Sequence, residues 1–179
     1  MTSAERGDNV TMLPFVNAAA KLFPGVFVFP RKKVSDKMKN MPEGFILLAH
    51  PSGWMTEGNF LIALKHLHSQ VKCRKEKPII LFLDNHISHM GYSICVFAKE
   101  NGIILQTLPP HTSHASQPLD RTIYGPFKCH LAKSRANWMR EPDNECQFMK
   151  SHFFPNQRFC EHLQRLTSRK GFRLQVYSL

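Results

Sequence analysis

The 179-residue chain lacks the long apolar segments and the cysteine pairs that mark several protein classes. No apolar run approaches the roughly 18 residues of a transmembrane helix, and the N-terminal MTSAERGDN has no apolar core of a secretory signal. The five cysteines are odd in number and show no CxxC spacing, which argues against a disulfide framework or a four-cysteine zinc site. We therefore expect reduced thiols in an intracellular protein without a membrane segment.

Acidic residues are also scarce, with 13 Asp and Glu against 24 Lys and Arg, a formal net charge of +11. Such an excess indicates a polyanionic partner, most simply nucleic acid, although charge alone does not separate DNA, RNA and anionic lipid. Arg31, Lys32 and Lys33 form a basic patch after a short apolar run. This patch is either a solvated loop or a DNA contact.

The remaining composition is ordinary for a globular domain, with 42% apolar and 21% charged residues. Apolar runs of strand length alternate with stretches of helical period, which predicts an α/β fold. Pro14 within the first run predicts an edge or a bulge. The predicted strands are residues 10–18, 26–29, 45–49, 79–83 and 103–108, and the predicted helices are residues 57–71, 90–101 and a segment beyond Pro126.

The run IILFL at residues 79–83 is apolar without alternation, which predicts a central strand covered on both faces. The strand, helix and strand that follow one another here form a βαβ unit with parallel strands. Asp84 comes directly after the first of these strands, where ligands bind in open α/β sheets. Its carboxylate could hold a hard cation such as Mg²⁺ or cap the following helix.

A second acid, Asp120, follows the neighbouring strand and a proline-rich loop. The crossover would bring Asp84 and Asp120 towards the same sheet edge. Two carboxylates there could share one or two metal ions of the kind that assist phosphoryl displacement.

The strings ILFLDNHISH, GIILQTLPPHTSHASQPLD and YGPFK, in this order, resemble the catalytic domain of pogo/Tigger-like DDE transposases and their jerky-like domesticated relatives. The upstream strings NAAAKLFPGVFVFPRKK and SGWMTEGNF also resemble that family. The resemblance implies an RNase H-like fold, a mixed sheet flanked by helices, over residues 1–140, with a divergent tail at 141–179. It implies that Asp84 and Asp120 are the second and third catalytic acids, holding Mg²⁺ or Mn²⁺. DNA is the implied partner and the nucleus the implied location.

Relative to that family, the first acid and its strand would lie upstream of TSAERG. We therefore expect an incomplete sheet with unpaired edges where the central first strand is missing. The predicted function is a transposon-derived, nucleic-acid-binding endonuclease domain whose metal-dependent cleavage and strand transfer are impaired. The alternatives are a domesticated DNA- or protein-binding module without catalysis, or a relic without function. Enzymatic activity and homo-oligomerisation stay open.

Histidines flank both acids as two HxxH pairs, which could bind zinc if the two loops met. The preferred interpretation is that histidines cap the helix after Asp84, hold the loops or contact phosphate, and that His89 and His114 orient the acids from outside the metal's ligand set. The residues assigned this supporting role are Asn85, His86, His89 and His114. Lys128 joins Arg31, Lys32 and Lys33 as a candidate phosphate contact. Trp54 and Trp138 are interpreted as packing residues rather than as base-stacking platforms.

Overall fold

The structure, a computed structural model, describes residues 10–19, 21–34, 43–109, 124–140 and 177–178, together with Leu119. Six strands and three α-helices follow one another in chain order. They are β1 (Thr11–Val16), β2 (Leu22–Pro30), β3 (Ile46–His50), α1 (Glu57–Val71), β4 (Ile79–Leu83), α2 (Tyr92–Glu100), β5 (Ile103–Thr107), α3 (Gly125–Met139) and β6 (Tyr177–Ser178). A short 3-10 turn, Ile87–His89, lies between β4 and α2.

The strands form one mixed sheet in the order β3-β2-β1-β6-β4-β5. Strand β1 is antiparallel to β2 and β6, whereas β2 is parallel to β3, and β4 is parallel to β5 and β6. The register shifts between Leu13 and Phe15, which confirms the irregularity predicted from Pro14. Gly25 lies opposite this bulge, where any Cβ would overlap with the carbonyl oxygen of Leu13.

The centre of the sheet differs from the expectation of unpaired edges. Strand β6 lies between β1 and β4, pairing Ser178 with Val16 on one side and Tyr177 with Leu81 on the other. The expectation is wrong at these positions because the end of the chain supplies the backbone partners. Two residues with no alternating pattern carry no local strand signal, so the sequence did not predict this element.

Helices α1 and α2 pack on one face of the sheet and bury a core that all of the longer strands share. Thr56 begins α1, its hydroxyl accepting the N–H of Asn59 at 3.3 Å, and the helix has the predicted bounds. The fully buried residues of this core include Phe15, Val26, Val28, Phe60, Leu64, Leu67, Leu81 and Ile94.

The opposite face is covered mainly over β1, β2 and β3. There Leu119 packs with Leu22, Phe27 and Phe29, and Tyr124, the residue before α3, packs against them. Ile80 on β4 keeps 42% of its surface exposed. The prediction that β4 is covered on both faces is therefore wrong for the part of the chain described, because the helices that pack on β4 lie on one side.

Candidate functional site

Several loops begin at one edge of the sheet because the strands that precede them run in the same direction. Since β2 and β4 are both antiparallel to β1 through the pairings above, β2, β3, β4 and β5 all point the same way. Their carboxyl ends therefore share an edge. The basic residues after β2, the loop after β3 and the segment after β4 all begin there, in the position where open α/β sheets bind ligands.

Asp84 stands at the end of β4 with a carboxyl group that is 35% exposed. Its Oδ1 accepts the backbone N–H of His86 at 3.2 Å and lies 2.9 Å from Nδ1 of His89. Within the described residues, no hydrogen bond reaches Oδ2. Oδ1 is thus held by its neighbours, and the side chain as a whole keeps about a third of its surface exposed.

His89 is buried and held by helix α1. Its ring lies against the ring of Phe60, with 4.2 Å between the centroids, and Phe60 is fully buried in the main core. The Nδ1 of His89 has no aligned hydrogen bond in the described structure, so its close approach to Asp84 is a polar contact set by ring packing. The core therefore positions His89, and His89 restrains Asp84.

The surroundings of Asp84 favour its ionised form. Burial of the carboxyl raises its pKa, but the contact with His89 and the backbone N–H of His86 outweigh burial. The pKa of Asp84 accordingly lies below its ordinary value of 3.8. A carboxylate that stays charged is the form that a divalent cation needs.

This pKa shift predicts a pH-dependent contribution to stability. Because the folded-state pKa is lowered, the contribution is present above the unfolded value of 3.8 and is lost as pH falls through the folded pKa. We expect the wild type to have a higher urea midpoint than Asp84→Asn at about pH 7, and the gap to shrink towards about pH 3. A gap that is constant over this range would contradict the assigned ionisation.

His86 caps the turn that follows Asp84, which is one of the supporting roles expected of these histidines. Its ring accepts the N–H of Ser88 at 3.3 Å and lies 2.8 Å from the Ser88 hydroxyl, so it caps the 3-10 turn. Only its backbone N–H contacts Asp84. Asn85 has an exposed side chain beside them. Of the three, His89 is the residue whose side chain contacts the acid.

The other predicted site residues lie on other elements than β4 and the turn after it. Lys32 and Lys33 are exposed and Arg31 is partly exposed, all directly after β2 at the site edge. Lys128 is exposed on α3. Asp120 and His114 lie outside the described residues, so the pairing of the two acids stays a prediction. Across the described ranges, no three His, Cys, Asp or Glu side chains come together as a metal site.

Trp54 shows what the sequence interpretation missed at this edge. Its side chain is 60% exposed in the loop between β3 and α1, so the packing interpretation is wrong for this residue. The apolar stripe of α1 begins at Phe60, so the sequence already separates Trp54 from the buried face. The side chain of Trp138 lies outside the description.

Comparison with known proteins identifies the class. Residues 17–164 match the family described as DDE superfamily endonuclease, and the chain belongs to that family. Such endonucleases typically use divalent metals, and their substrate is DNA. The mixed α/β architecture is consistent with a nuclease of this class. No solved structure matches the chain.

One curated relative is the MFS-type transporter clz9 of Cochliobolus lunatus, 28% identical over 130 residues. The match covers 69% of this chain but 14% of that protein, so the chain spans a small part of its relative. The described residues contain no helix with the length and apolar character to cross a membrane.

Proposed function

We propose that this chain is the nuclease domain of a transposon-derived, pogo/Tigger-like DDE endonuclease that binds DNA at the carboxyl edge of its sheet. The observation that carries the proposal is Asp84, fixed at the end of β4 by His89 with its carboxyl group partly exposed. Membership in the DDE superfamily endonucleases supports the same reading. Residues 1–140 would form the domain, with 141–179 as a divergent tail, and the location would be the nucleus.

Asp84 suits Mg²⁺ or Mn²⁺ because both prefer oxygen donors and an ionised carboxylate. Asp120 would be the further acidic ligand that family resemblance implies. A cation bound there would polarise a phosphodiester and lower the pKa of a bound water. His89 is a positioning residue: it keeps Oδ1 engaged and leaves Oδ2 to the ligand.

The sheet supports an RNase H-like arrangement in which β6 takes the central position. Strand β6 is antiparallel to β1 and parallel to β4, with β5 parallel beyond it. In the family the central strand carries the first catalytic acid. Tyr177 and Ser178 bring no carboxylate to this position, which supports impaired cleavage. DNA binding by the basic residues would survive such a loss.

A second candidate function is a DNA- or protein-binding module without catalysis. One observation favours it: the strand at the centre of the described sheet, β6, carries no acid. The two candidates differ in one measurable property, which is binding of a divalent metal at Asp84.

The test is a Mn²⁺ and Mg²⁺ titration of the purified chain with thermal unfolding as readout. For a metal that adds about 1 kcal/mol we expect a rise in Tm of roughly 2–4 °C. Asp84→Ala should abolish the rise, and Asp120→Ala should reduce it. Glu100→Ala, an exposed acid at the end of α2, is the matched control and should keep it.

Nicking of a labelled duplex is measured in the same samples. Weak Mn²⁺-dependent nicking that disappears with Asp84→Ala would support the impaired endonuclease. An unchanged Tm in a folded wild type that still retards DNA would support the binding module instead.

A further inference from the structure

Large apolar side chains are exposed in two loops that adjoin Asp84. Trp54 in the loop after β3 is 60% exposed, and in the segment after β4 the values are 85% for Ile87, 56% for Met90 and 84% for Tyr92. Single exposed apolar residues are common, but here four lie in the two stretches that follow β3 and β4, the second reaching the first residue of α2, and such a group suits a partner. We call these four residues the apolar patch.

The two loops are joined through the first turn of α1, which follows the Trp54 loop directly. The Ser93 hydroxyl donates to Oε1 of Glu57 at 3.2 Å, and Gly91 packs so closely on Glu57 that a Cβ would overlap with its carboxylate. One turn further along α1, the Phe60 ring packs against the His89 ring, and His89 in turn contacts Asp84. The segments that contain Trp54, Tyr92 and Asp84 are therefore all connected to the first turns of α1.

Charge around this patch favours a polyanion as the occupant. Lys32 and Lys33 follow β2 at the same sheet edge, and both are exposed. Two carboxylates, Glu57 and Asp84, share this edge with the three basic residues 31–33, and Glu57 accepts a hydrogen bond from Ser93. Aromatic side chains beside cations suit a nucleic acid, because the aromatic rings can stack on bases while the cations contact the neighbouring phosphates. The bases of intact duplex are already stacked on one another, so only unpaired bases can offer their faces to Trp54 and Tyr92.

We propose that Trp54 and Tyr92 stack on unpaired DNA bases next to the strand that Asp84 contacts. This inference rests on the proposed function and deepens it: the preferred substrate is single-stranded or frayed DNA rather than intact duplex. Ile87 and Met90 supply apolar surface beside the stacked bases.

The tryptophan count allows a direct test, because the chain has only two tryptophans. Trp138→Phe leaves Trp54 as the sole emitter. Titration of this protein with an oligodeoxythymidine should quench its emission in a saturable, salt-sensitive manner, and a blunt hairpin duplex should quench it much less. Circular dichroism confirms that each variant is folded.

Affinity is measured in parallel by anisotropy of labelled oligodeoxythymidine. Trp54→Ala or Tyr92→Ala should weaken binding roughly 5- to 150-fold, the range for one lost base stack. Trp54→Phe should restore part of the loss. Ile104→Ala, an exposed apolar residue on β5, is the matched control and should bind like the wild type.

The outcomes separate this inference from the function on which it rests. If the aromatic variants bind like the wild type while a Lys32→Ala, Lys33→Ala double variant loses DNA, the stacking inference fails and DNA binding stands. If duplex binds as tightly as the oligonucleotide, or neutral lipid vesicles quench Trp54 and the oligonucleotide does not, the inference also fails. If no DNA binds to folded protein at low salt, the proposed function itself fails.

Discussion

Replacing Phe60 with alanine should lower the free energy of unfolding by about 3–5 kcal/mol, as for other buried phenylalanines. Phe60 is fully buried. From α1 it packs against the core residues of the sheet and against His89 of the 3-10 turn. The loss combines the transfer free energy of the ring with a cavity that a rigid sheet cannot close. Urea denaturation measures it directly.

The same change should also loosen the site, because the Phe60 ring is what His89 rests on. We therefore expect Phe60→Ala to reduce any metal-induced rise in Tm along with stability. Phe60→Leu keeps an apolar side chain and should cost less than Phe60→Ala, so it separates unfolding from loss of His89 positioning.

Ile62→Ala, on the same helix with an exposed side chain, is the matched control. It should cost less than about 1 kcal/mol. Equal costs for the alanine variants at 60 and 62 would contradict the burial assigned to this helix.

Replacing Gly102 with alanine should destabilise the fold by roughly 2–4 kcal/mol, from backbone strain plus overlap. Gly102 lies between α2 and β5 and has a φ of 71°, a left-handed conformation that residues with a side chain disfavour. A Cβ there would also overlap with the backbone carbonyl of Arg74. Relief would require the turn formed by Arg74 and Lys77 to move away from the start of β5.

That movement would also disturb the first bond of the parallel pair, in which the N–H of Ile79 donates to the Gly102 carbonyl at 2.9 Å. Gly58→Ala is the control: it lies in the first turn of α1, where a Cβ has nothing within 4 Å. It should be neutral or stabilise by up to about 1 kcal/mol. Similar urea midpoints for the two variants would contradict the strain assigned to Gly102.

Local signals in the sequence predicted much of this fold. Helix α1 has the predicted bounds because Thr56 provides a cap and its apolar residues keep one period. The parallel pairing of β4 with β5 followed from the short crossover. Strand β2 begins earlier than predicted, at Leu22, because pairing with the bulged β1 overrides the turn preference of Pro24 and Gly25.

Of the candidate site, the sequence predicted the position of one acid at the end of one strand. The position of Asp84 follows from the end of an apolar run, since ligand sites in such sheets lie there. The packing of His89 on Phe60 was not predictable, because it depends on how α1 crosses the sheet. The exposure of Trp54 likewise depends on what the folded loop leaves uncovered.

The placement of β6 has a consequence for the order in which the chain folds. Strands β1 to β3 and the β4–α2–β5 unit each form from contacts close in sequence, and both can appear early during synthesis. The backbone pairing that joins them at Val16 and Leu81 waits for residues at the far end of the chain. Before Tyr177 and Ser178 pair, β1 and β4 lack these backbone partners, and unpaired strand edges of this kind are sites at which partly folded chains associate.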